Sequence, residues 1–218
     1  MTFKNLFDFL LDLQQNNNKE WMDSHREQYQ AVRNFYIDWL DKMNFKLAEI
    51  DSDYTDTPGK KAINRINNNL MFQPDKPVYK DHFGAGLDQE SRQGDFYIQI
   101  GLNDSFIGGG YWHPSSTILK SIRDGIDYNG EELKKIISKK SFLNMFGGLI
   151  EADELKTSPK GYTQEHEHID LLRKKSFAAG RNFTHKEILD PNFDKVVIET
   201  YKELLPFRRY LNNAAKLD

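Results

Sequence analysis

The chain predicts an α+β fold, with a central, mostly antiparallel sheet packed by long N- and C-terminal helices in a single domain over residues 1–218. Two patterns lead there. Apolar residues recur at steps of three and four near both ends, whereas residues 95–112 alternate apolar with polar across an Asn103-Asp104 turn. A hydrophobic share of 38% and an aromatic share of 13% supply enough apolar surface for one well-buried core in 218 residues.

Phe3, Leu6, Phe7, Leu10 and Leu13 form the stripe of a short first helix, which Asn16, Asn17 and Asn18 terminate. Asn17 and Glu20 have the spacing of a capping box. The spacing predicts one long helix carrying Met22, His25, Tyr29, Val32, Tyr36, Trp39, Met43, Leu47 and Ile50. Phe35 and Leu40 widen its apolar face beyond a coiled-coil seam, so packing on a sheet is expected. Residues 51–61, with Thr57-Pro58-Gly59, read as a loop. Alternation around Ile63, Arg65 and Ile66 predicts a strand entering an irregular loop over 63–86, where Pro74 and Pro77 block regular structure.

Residues 95–102 and 105–112 then read as paired strands, the second ending in Gly108, Gly109 and Gly110. Pro114-Ser115-Ser116 opens a helix ending near Asn129-Gly130, followed by another over 131–139. Further expectations are a strand over 149–156, a turn over 156–161, a helix over 163–174 and a short strand over 177–179. Thr184 and Glu187 form a second capping-box pair. Asp190-Pro191 are placed as cap and first residue of a last helix through Phe193, Val197, Tyr201 and Leu204, kinked or restarted at Pro206.

Charge and composition exclude several classes. With 30 basic and 33 acidic residues the net charge is −3, so bulk electrostatics do not draw the chain to nucleic acid or acidic lipid, although a local basic patch can. The absence of cysteine removes disulfides, thiolate–zinc sites and thiol catalysis. Lys4, Asp8 and Asp12 interrupt the N-terminal apolar run, which therefore lacks a secretory pattern, and no window reaches the length of a membrane span. The expectation is a soluble, cytoplasmic protein. Nothing in the sequence specifies an oligomeric state.

Asp75-Lys76, Tyr79-Lys80, Gly109-Gly110, Pro114, Arg123, Pro159-Lys160-Gly161 and Leu205-Pro206 follow one another in an order that resembles the family of domain of unknown function 2461. Asn17, Lys19-Glu20-Trp21, His25-Arg26 and Tyr29 extend the resemblance over nearly the whole chain. It implies a single α+β domain and supplies no activity. The chain departs from the pattern at Asn68-Asn69, where many members carry Arg-Asp, at Met71, where they carry Arg, and at Val78, where they carry Pro.

The densest group of chemically able residues lies within 63–86. Arg65, Lys76 and Lys80 are expected to bind a small anionic ligand bearing phosphate or carboxylate, with Asn68 and Asn69 beside them. Arg123 and Lys160 are expected to contribute from elsewhere. Tyr79 would orient the ligand and Asp75 would serve as a base if turnover occurs; His82 is a further proton acceptor. The competing reading is a loop held by its own ion pairs, Asp75 with Lys76 and Asp81 with Lys80. A different class of function is a non-enzymatic interaction module that uses the long N-terminal helix.

Other features carry less. Lys156, Arg173, Lys174 and Lys175 make a second basic group that also suits the end of a helix. Gly108 to Gly110 match neither a phosphate loop nor a dinucleotide fingerprint, so no cofactor is expected. His166 and His168, on a helix, would point about 200° apart and share no ion, so no metal is expected. Tyr97, Tyr111 and Trp112 could stack bases as RNA-binding sheets do, but the acidic composition favours a core role.

Overall fold

The computed structural model describes residues 1–90 and 94–216. The chain runs α1 (Phe3–Gln15), α2 (Lys19–Ser24), α3 (Arg26–Ala48), α4 (Gly59–Ala62), β1 (His82–Leu87), β2 (Phe96–Gly101), β3 (Phe106–Tyr111) and α5 (Ser116–Ser138). It continues through α6 (Lys140–Phe146), α7 (Ile169–Leu172), β4 (Phe177–Asn182), α8 (His185–Ile188) and α9 (Phe193–Ala215). The strands form an antiparallel sheet in the order β1-β2-β3-β4, and the α+β expectation holds. Among the described residues no helix is long and apolar enough to cross a membrane.

Two compact units divide the chain. The first comprises Met1–Asp88, Tyr97–Ile107 and Asn182–Ile198; the second comprises Gln89–Phe96, Gly108–Arg181 and Glu199–Asp218. In the first, α3 buries Tyr29, Val32, Tyr36, Trp39, Leu40, Met43 and Leu47. α1 adds Leu6, Phe9, Leu10 and Leu13 to the same core. The Tyr36 hydroxyl, fully buried, donates to the Ile98 carbonyl at 3.1 Å and so ties α3 to β2. Phe3, Phe35, Trp39 and Phe193 interlock largely edge to face, at ring separations of 5.1–5.9 Å.

In the second unit, Ile122, Ile126 and Leu133 of α5 are buried, as are Leu204, Phe207 and Leu211 of α9. Tyr201 of α9 meets Phe96 edge-on at 5.1 Å. The glycines of β3 are there because the second unit's neighbours come too close for a side chain. A Cβ on Gly109 would lie 2.7 Å from Cδ of the buried Arg208, and Gly110 sits at φ +113° with its missing Cβ aimed at the Phe177 carbonyl.

Several boundaries differ from the expectation. The long helix is broken at His25 (φ −110°, ψ 22°), whose ring stacks on Trp21 at 4.0 Å. The N-cap of α2 is Asn18, which accepts from the Trp21 N–H, one residue later than the Asn17 cap inferred from spacing. Residues 63–67 make only isolated bridges, Ile63 with Ala85 and Asn67 with Tyr79, while the true strand is β1, inside the stretch read as loop. Residues 149–156 form a single bridge at Glu154 rather than a strand, and 163–174 contribute only the one-turn α7. α9 starts at Phe193, because the Asp190 carboxylate turns the chain back by accepting from the Asn192 N–H. The break near Asn129 is confirmed as a kink (φ −149°, ψ 51°), held by the Tyr210 hydroxyl against the Gly125 and Asn129 carbonyls.

Gly110→Ala combines a positive φ with a backbone collision. It should cost about 2–4 kcal/mol, read as a lower urea midpoint at unchanged slope.

Candidate functional site

Residues 63–85 fold back on themselves as an irregular ribbon in the first unit. The Asn64 N–H donates to the Gly84 carbonyl, Lys80 N–H to Ile66 and Asn68 N–H to Val78, at 2.8–3.0 Å. Asn68 closes the neck a second time, its side-chain amide donating to the Pro77 carbonyl at 2.8 Å. Beyond the neck the N–H groups of Phe72 and Gln73 both reach the Asn69 carbonyl, and Lys76 N–H reaches Gln73. Consecutive turns therefore replace a strand where Pro74 and Pro77 supply no donor.

The ribbon is anchored from the N-terminus. The half-buried Asn17 side chain accepts from the Tyr79 N–H at 2.8 Å and donates to the Tyr79 carbonyl at 2.9 Å, as a neighbouring strand would. The Tyr79 ring is buried on the side of α3, near Tyr29. Burial pushes the Tyr29 phenol above 10.0 despite the charges of Arg33 and Arg26 and a hydrogen bond from Arg33, and Tyr79 pushes it further the same way. Asn17, Tyr29 and Arg33 were not singled out by sequence reasoning as site residues. The signal was available for two of them, since Tyr29 and Arg33 are four apart on one helix face.

Arg65 and Lys76 both act on the charge of Lys80. Burial, then the charge of Arg65, then that of Lys76, hold the Lys80 ammonium below its ordinary 10.5. Lys80 Nζ donates to the Arg65 carbonyl at 2.6 Å, which brings the two residues together. The ion pairs of the competing reading are not formed. Asp81 is taken by His82 (3.0 Å) and Asn103 (2.8 Å), whose hydrogen bonds outweigh burial and keep its carboxyl below 3.8. Among the described residues, neither Arg65, Lys76 nor Lys80 has a carboxylate within ion-pair distance. Asp75, Lys76 and Asn69 are exposed, and the apolar turn between them, Leu70, Met71 and Phe72, is exposed as well.

Arg123 and Lys160 belong to the second unit. Arg123 donates to the carbonyls of Leu172 (2.8 Å) and Lys174 (3.2 Å), closing the end of α7, and burial holds its guanidinium below its ordinary value. Lys160 stands exposed on its turn. Tyr162 nearby donates to Asp124 at 3.2 Å; burial and that carboxylate push its phenol up to about 12. Arg173 binds the carbonyls of Leu155 and Lys156, and Lys174 pairs with Glu154 at 2.6 Å, so these cations fasten residues 154–156.

His166 and His168 do not lie on a helix, contrary to the geometry assumed for them, and their rings are 5.8 Å apart. His166 pairs with Asp127 at 2.8 Å. No group of three His, Asp or Glu among the described residues is placed to hold a metal ion. Tyr111 is buried, its hydroxyl 3.0 Å from Asn212, which is a core role rather than a stacking platform.

Replacing Asn17 with Ala leaves both polar groups of the Tyr79 backbone without their partner. The expected cost is about 1–3 kcal/mol in thermal or urea unfolding, with local loss of amide-exchange protection at Tyr79 and Lys80 ahead of the α3 core.

No curated protein and no solved structure matches the chain. Residues 5–210 match the family described as conserved hypothetical protein, domain of unknown function 2461, and the match runs from the greater part of α1 to the greater part of α9. The chain therefore belongs to that family.

Proposed function

We propose that the protein recognises a small anionic ligand, bearing phosphate or carboxylate, with Arg65, Lys76 and Lys80. One observation carries this reading: Arg65 and Lys76 both act on the half-buried Lys80, whose ammonium burial already disfavours, and among the described residues no carboxylate lies within ion-pair distance of the three. Such a group is electrostatically unfavourable alone and becomes favourable when an anion enters. Asn68 and Asn69 shape the turn that presents Lys76, and the Asn17 clamp sets the register of Lys80. Tyr79 acts through its backbone and buried ring, holding the ribbon against α3. In the form of this reading that includes turnover, Asp75 supplies the carboxylate beside Lys76. The ligand is assigned to the first unit's cations alone, without Arg123 or Lys160.

The apolar stripe that an interaction module would need on the N-terminal helix is buried within the first unit, leaving Phe45 as its exposed aromatic residue. No observation favours that reading over the cationic one.

Inorganic pyrophosphate, citrate and nucleotides should be screened by thermal shift with wild type and Lys76→Ala. A ligand at 100 times its dissociation constant adds about 2.7 kcal/mol, or roughly 5–10 °C for a domain of this size. The shift should vanish in the variant while its unliganded melting temperature stays within about 2 °C, because Lys76 is exposed. Equal melting without any ligand response in wild type would refute the reading.

The pH dependence has a definite sign. Lys80 loses its proton below the ordinary 10.5, so anion affinity should start to fall at lower pH than a solvated lysine would dictate. Lys80→Arg, which stays charged, should shift that fall to higher pH.

A further inference from the structure

We infer that the turn at Leu70, Met71 and Phe72, together with Arg65, Lys76 and Lys80, docks the protein onto an anionic lipid surface. The inference rests on the cationic reading above and adds to it the source of the anion. Three consecutive apolar residues point into water: Met71 is 83% exposed, Phe72 77% and Leu70 37%. Isolated apolar side chains on a surface need no explanation, but a contiguous apolar tip does. Among the described residues this one makes no ring contact with the rest of the protein, whereas Phe3, Phe7 and Phe9 all do.

The tip is also suited to the interface by its backbone. The N–H groups of Phe72 and Gln73 are both satisfied by the Asn69 carbonyl, and residues 74 and 77 are prolines without N–H, which leaves the N–H groups of Leu70 and Met71 to the hydrated headgroup layer. Lys76 follows on the same loop, with Arg65 and Lys80 just below its neck. Apolar residues ahead and cations behind match the layering of acyl chains beneath anionic headgroups. No span is involved, and the net charge of −3 is no obstacle, since screening confines the interaction to the nearest residues.

Nucleic acid would use the same cations but offers nothing to Leu70 and Met71. It reads aromatic platforms, and the tip has one ring. A lipid surface uses all three apolar residues.

The test is flotation of the full chain with vesicles of phosphatidylcholine alone and of phosphatidylcholine with phosphatidylserine. Wild type should float only with the anionic vesicles and detach as salt is raised. Each basic residue near such a surface contributes about a fivefold factor, so Lys76→Ala with Lys80→Ala should weaken partitioning about 25-fold. Met71→Ser with Phe72→Ser should abolish flotation yet keep the thermal response to pyrophosphate, because the cations remain and no charge is added. Both tip residues are exposed, so that variant should melt like wild type. Flotation lost only in the lysine variant, or binding of wild type to RNA but not to vesicles, would overturn the inference. A pyrophosphate shift without flotation would overturn it while leaving the small-anion reading intact. Flotation without a pyrophosphate shift would support the lipid surface and dismiss the soluble ligand.

Discussion

The paired hydrogen bonds between the Asn17 amide and the Tyr79 backbone are the constraint on which the candidate site depends. Tyr79 ends a ribbon whose other side is an irregular segment, so its N–H and C=O have no strand on that flank. An asparagine side chain supplies one donor and one acceptor at peptide spacing, and here it stands in for the missing strand. The consequence is mechanical. Residues 78–80 are fixed to the segment between α1 and α2, which the buried residues of those helices hold in place. Lys80 Nζ in turn donates to the Arg65 carbonyl, which ties those two residues together. The turn beyond the neck is thereby displayed from a rigid base, although most of its residues are exposed.

That arrangement explains which parts of the chain could be read beforehand. β2 and β3 were legible because each is long enough to alternate and a polar turn separates them. β1 was not. Its residues are buried at nearly every position, so alternation is lost, and Gly84 and Gly86 lower its strand propensity. The break at His25 left no mark in the periodicity, because the apolar spacing runs on through it while an N-cap-like backbone interrupts the helix. The single-residue slip from Asn17 to Asn18 has a clear cause. Three consecutive asparagines can each cap, and only tertiary contact decides that Asn17 is needed at Tyr79.

The candidate cations could be named from the sequence, but their surroundings could not. Arg65, Lys76 and Lys80 were found by charge density, yet that density alone does not distinguish a bare cationic group from a self-paired loop. The distinction came from Asp81, which turns to His82 and Asn103 and leaves Lys80 unanswered. Arg123 was legible as a functional type, and the structure gives its guanidinium to two backbone carbonyls. Carbonyls at a helix end are invisible as partners in a sequence, because every residue carries one.

Three cations with no carboxylate in ion-pair reach among the described residues repel one another, and this chain has acidic residues in excess that could have neutralised them. The surrounding structure instead holds the repulsion in place, through the Asn17 clamp below and the Asn68 neck above. Local rules are broken most often where function requires it. The same loop breaks a second rule by exposing Met71 and Phe72. Repulsive charge and unburied apolar surface are relieved by different agents when they occur apart. Close together on one ribbon, both would be relieved at once by a surface that is anionic outside and apolar beneath. The folded protein is then most stable when that surface is occupied, because whatever binds the native loop and not the unfolded chain adds its binding free energy to folding.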